Sequence, residues 1–100
     1  MEEQIRRIQK MESSLNEAIA AVGQLDKALT QYEMMLPQLN QLINYYESPL
    51  WMEDYQADCE GKLPAQLRRG VLSEDAVYDL LSETRQLCQR MELLAKSTKR

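Results

Sequence analysis

The sequence predicts an all-α fold, and three observations carry the prediction. Gln, Glu, Leu, Ala, Lys and Arg dominate a chain of 100 residues that holds only three Gly and three Pro. Such straight-chain or small residues lose little conformational freedom in a helix. Apolar residues recur at seven-residue spacing through the first 46 positions, and a second amphipathic run occupies the last quarter of the chain. The length suits one domain, 1–100, with a modest core. Its expected architecture is a long N-terminal heptad helix over 1–46 packed antiparallel on a C-terminal helix over 74–97. A connection with short helical turns, 47–73, joins the two into a helical hairpin or bundle.

The first helix follows from one unbroken period. Ile8, Leu15, Val22, Leu29, Leu36 and Ile43 take the a positions, and Met11, Ala18, Leu25, Tyr32, Leu39 and Tyr46 take the d positions. All of them are apolar or aromatic, which is the signature of a coiled-coil seam. Gly23 and Pro37 both fall at b, facing solvent. Gly23 costs about 1 kcal/mol of propensity there. Pro37 removes a backbone hydrogen bond and disfavours helix at Leu36, so a kink is expected near it. Because the period keeps phase across both residues, one long helix is expected rather than two.

The connection concentrates the unusual residues. "YYESPLWMEDYQADCEGKLPAQLRRGVLSEDAVYDLL", Tyr45 to Leu81, holds four of the five tyrosines and the sole tryptophan. Ser48 and Pro49 suit the N-cap and first position of a short helix over about 49–59 ending near Gly61, with Leu50, Trp51 and Tyr55 facing inward. "LPAQLRR" reads as a further short helical turn, with Pro64 near its start and Gly70 at its C′ position. Ser73 then caps the last helix, and Glu74 and Asp75 complement the positive end of its dipole. Val77, Leu80, Leu81, Leu87, Cys88, Met91, Leu94 and Ala95 form its apolar stripe, while Lys96, Lys99 and Arg100 suit its C-terminal end.

Length arithmetic then sets a question of partners. At about 1.5 Å per residue the first helix spans roughly 65 Å and the last roughly 36 Å. Packed antiparallel, the last helix ends beside Gly23, and residues 1–22 overhang with Ile5, Ile8, Met11, Leu15, Ile19 and Val22 uncovered. A stripe of that size calls for cover. A second copy, giving a homodimer with a four-helix centre, is the favoured cover. An unidentified protein partner, or a bend near Gly23 that makes a three-helix bundle, are the other two.

Composition narrows the function classes. A net charge of −4 argues against a nucleic-acid partner, whose phosphates need clustered Lys and Arg. The "LPAQLRRGVLSEDAVYDLLSETRQ" stretch has a helix–turn–helix outline, but it would present Glu74 and Asp75 to the groove. No apolar run approaches a membrane span, so a cytoplasmic protein without a membrane partner is expected. Cys59 and Cys88 stand 29 apart with no His in the chain, too few soft ligands for zinc, and they are expected as free thiols. No catalytic constellation is visible, neighbouring carboxylates such as Glu53 and Asp54 diverge on a helix, and no cofactor or metal is implied. Tyr46, Trp51, Asp54, Tyr55, Glu74, Asp75 and Tyr78 remain as a structural lock or partner-binding surface.

"YY", Trp51, Asp54 with Tyr55, "GKLP" and "RGVLSEDAVYDLL" together resemble the domain of unknown function family 4298, over roughly residues 40–95. The resemblance implies a bacterial, all-helical protein and marks the middle stretch as the family's identifying part; it brings no activity. The function expected is therefore a non-enzymatic protein–protein interaction module that self-associates through its N-terminal helix, in an adaptor or regulatory role. One alternative is a small enzyme or metal-dependent factor using the aromatic–acidic connection. Another is a secreted helical hairpin like those of type VII secretion, although Trp51 is followed by Met52 and Glu53 rather than x-Gly.

Overall fold

Helix propensity and the heptad period act together over the first half of the chain, and the result is one helix. In the computed structural model, which describes residues 1–100, α1 runs from Glu2 to Tyr46 and passes through both Gly23 and Pro37. Two further helices follow, α2 (Pro49–Cys59) and α3 (Ala76–Ser97), with a single 3-10 turn at Gly70–Leu72 and no strand. The protein is all-α, with the long N-terminal helix that the heptads require.

The chain divides into two units, Met1–Gln41 and Leu42–Arg100. The first consists of α1 alone and buries no residue. Its Ile5, Ile8, Met11, Leu15, Ile19 and Val22 are between 47% and 64% exposed. The second unit holds the last turn of α1, α2, the 3-10 turn and α3. Its core is Trp51, Leu72 and Val77, at 9%, 5% and 2% exposure. Three buried side chains are a small core for any domain. Leu80, Leu87, Met91 and Leu94 on the stripe of α3 stay between 37% and 57% exposed.

Local signals set the ends of α2. Ser48 has the extended backbone of an N-cap and Pro49 occupies the first turn, as expected. The Ser48 hydroxyl does not cap α2, however; it donates to the Tyr45 carbonyl at 2.7 Å. At the other end Gly61 adopts φ +70. Its N–H bonds the Asp58 carbonyl and the Lys62 N–H bonds the Ala57 carbonyl, both at 3.0 Å. Those two bonds form a Schellman ending, which satisfies carbonyls that the helix leaves open and needs a left-handed residue at this point.

Three local details differ from the sequence reading. Residues 63–69 form no helix: a lone turn closes from the Leu67 N–H to the Pro64 carbonyl at 3.1 Å. Seven residues cannot repay helix nucleation without packing. Arg69, at φ −135, breaks the run, and Gly70 opens the 3-10 turn instead of closing a helix. Leu50 is exposed rather than inward, because Trp51 alone takes the buried side of that turn. α3 begins at Ala76 rather than at 74, and its N-cap is Asp75 instead of Ser73, whose Oγ still accepts the Ala76 N–H at 3.2 Å.

A Cβ at position 61 would meet no atom within 4 Å, so Gly61→Ala tests backbone conformation alone. It is expected to destabilise residues 42–100 by about 1–2 kcal/mol, the cost of a left-handed non-glycine residue. Chemical denaturation followed by circular dichroism reads that loss.

Candidate functional site

The aromatic connection is assembled from helix ends. Tyr45 and Tyr46 close α1, Trp51, Asp54 and Tyr55 lie on α2, Val71 and Leu72 on the 3-10 turn, and Glu74 just before α3. The Trp51 indole sits between two tyrosine rings. It meets Tyr46 edge-on at 5.2 Å and 72°, and stacks on Tyr55 at 5.2 Å and 9°. Such pairs each add about 0.5–1.5 kcal/mol beyond the area they bury. The indole N–H donates to the Val71 carbonyl at 2.9 Å, giving the buried polar atom its partner.

Around this stack the carboxylates are tied down one by one. The Tyr45 hydroxyl donates to Asp54 Oδ2 at 2.6 Å, and the Tyr55 hydroxyl donates to Glu74 Oε1 at 2.6 Å. Arg69 Nη1 bonds Asp58 Oδ1 at 2.8 Å, with both side chains about one third exposed. Partial burial keeps that pair at on the order of 1 kcal/mol. The bond to Asp54, together with burial, pushes the Tyr45 hydroxyl up to about 12 from its ordinary 10.0. Tyr55 is also raised, first by its bond to Glu74 and then by Cys59 beside it. Both tyrosines act as neutral donors to charged acceptors.

The connection thus unites Tyr46, Trp51, Asp54, Tyr55 and Glu74 of the residues the sequence singled out. Tyr78 and Asp75 stand apart, both exposed: Tyr78 leaves the stack to Tyr46, and Asp75 contributes its backbone carbonyl to the Asp79 N–H at 2.8 Å. Three participants lay outside the sequence reading. Tyr45 was legible only as part of "YY", Val71 acts through its backbone, and Arg69 stood out only as part of "LPAQLRR". Cys59 and Cys88 are free and exposed. No group of three or more Cys, Asp or Glu side chains converges in a way that could hold a metal ion. Beside the lock an open cleft of about 300 Å³ is bordered by Tyr45, Asp54, Leu63, Arg68 and Val71.

Residues 8–93 match the family described as a domain of unknown function (DUF4298). No curated protein and no solved structure matches the chain. No helix is long and apolar enough to cross a membrane.

Removing the indole should be the most damaging single change in residues 42–100. Trp51→Ala is expected to cost about 3–5 kcal/mol and to leave those residues without a cooperative melting transition. Trp51→Phe keeps a ring but orphans the Val71 carbonyl, and should cost about 1–3 kcal/mol. A second check is pH. A raised tyrosine pKa means the neutral form is favoured on folding. The stabilisation is full below 10.0, the unfolded value, and is lost as pH rises through about 12. In alkaline denaturation the loss of stability over that window should be smaller in Tyr45→Phe than in the parent protein.

Proposed function

The chain belongs to the DUF4298 family, and from that premise we propose that it is a cytoplasmic, non-enzymatic protein–protein interaction module that self-associates through α1. One observation carries the reading. The six apolar residues from Ile5 to Val22 are between 47% and 64% exposed in a single chain, on a helix that buries nothing of its own. Apolar surface of that extent on one face is what an interface covers. A second copy offers the same face with the same seven-residue spacing, which is the condition for a self-complementary seam. The exposed stripe of α3, Leu80, Leu87, Met91 and Leu94, is a second apolar face that an assembly of copies would cover.

The aromatic connection serves this module as a rigid end. Asp54 and Glu74 each accept a hydrogen bond from a tyrosine, and that occupation favours a structural role for them over catalysis. A further protein partner in an adaptor role would meet the cleft beside the lock. Its apolar walls include Leu63 and Val71, and Arg68, which joins no ion pair within the chain, supplies a positive rim.

Sedimentation equilibrium tests the self-association. The full chain is expected to be a dimer, and Leu15→Lys to weaken it roughly hundredfold or more, since each copy would carry an unpaired charge into the seam. A full chain that stays monomeric across micromolar concentrations, with or without the substitution, removes the reading.

A further inference from the structure

Charges flanking a heptad seam, at e and g, set the orientation in which two helices pair. With Ile8 at a and Met11 at d, Arg7 falls at g, while Glu12, Asp26 and Glu33 fall at e. α1 is a single helix through all of them, so they run along the two flanks of one seam. Arg7 and Glu12 are exposed and neither joins an ion pair within the chain. With Ile8, Met11 and Leu15 they border one shallow recess. Ile8, Met11, Glu12 and Leu15 are an a, d, e, a set, the four corners of a hole that receives a knob from a facing helix.

We propose that α1 pairs with a second copy of this chain in parallel and in register, Met11 entering the recess of the partner helix and Arg7 of each copy reaching Glu12 of the other. This orientation rests on the self-association proposed above. In a parallel pair each g residue meets the e residue five positions on in its partner. The meetings are then Arg7 with Glu12, Ser14 with Ile19, Ala21 with Asp26, Ala28 with Glu33 and Met35 with Asn40. One pair is of opposite charge, counted twice by symmetry, and none is of like charge. An antiparallel pair sets e against e instead. Centred on residues 5–22, it places Glu12 against its own copy and leaves Arg7 beside Ala21. That arrangement sets Glu12 against Glu12, whereas the parallel one pairs Glu12 with Arg7 and leaves Asp26 and Glu33 beside alanines.

Two measurements on the full chain decide the orientation. In a Cys59→Ser, Cys88→Ser background, Ile8→Cys places one thiol on each copy. In parallel the two thiols are adjacent, and mild oxidation is expected to link the dimer without changing its sedimenting mass. In the antiparallel arrangement they lie about 15 Å apart along the axis, beyond disulfide reach. Separately, Arg7→Glu should weaken the dimer roughly tenfold at low salt, and adding Glu12→Arg should restore it. A dimer that neither links through position 8 nor recovers in the double exchange overturns the parallel orientation and leaves self-association standing. A monomer in the unsubstituted chain overturns both.

Discussion

A buried indole must find an acceptor for its N–H, and in this protein that need organises everything after α1. Trp51 reaches the Val71 carbonyl across 20 residues of chain, which pins the 3-10 turn against α2. Tyr46 and Tyr55 then hold the ring from two sides, joining the end of α1 to the next turn of α2. Leu72 and Val77 complete the apolar contact from the segment that follows. With three buried side chains, hydrophobic burial alone is too small to select one arrangement. Specificity comes from polar bonds at the edges, Tyr45 to Asp54, Tyr55 to Glu74 and Arg69 to Asp58. Each of these is directional, and each engages a charged partner, which makes it stronger than a neutral hydrogen bond.

That economy has a consequence for function. The acids of the connection could have formed an acidic surface or a cation site, but two of them, Asp54 and Glu74, are occupied by tyrosine hydroxyls that remain neutral far into the alkaline range. The small core also leaves most apolar surface elsewhere, on the early heptads of α1 and on the stripe of α3. The proposed self-association follows from where the apolar surface lies, and the proposed orientation from the few charges that border it.

The elements were legible because their determinants are local. Seven-residue spacing carried α1 through Gly23 and Pro37, since both residues face away from the seam and neither shifts its phase. Pro49 and Gly61 marked α2, one by a ring compatible with a first turn and the other by a backbone that accepts φ +70. Local reasoning also failed where several weak signals conflicted. "LPAQLRR" has helix-forming residues, but a short run without a buried face has nothing to offset nucleation, and it became a turn. Leu50 and Trp51 are adjacent, and only one of the two could face inward.

Composition and periodicity therefore determined an all-α chain, its three helices and the apolar stripe along the first, because each depends on neighbours within a turn or two. They also identified Trp51, Asp54, Tyr55 and Glu74 as residues out of the ordinary. Which tyrosine meets which acid was decided by the folded chain. Those contacts join residues 9 and 19 positions apart, and the indole bond spans 20. At such separations a partner is chosen by the path of the connecting backbone, here the Schellman ending at Gly61 and the turn at Gly70–Leu72. Tyr78 shows the difference: its residue type fits the lock as well as Tyr46 does, and only its place on the outer face of α3 keeps it in solvent.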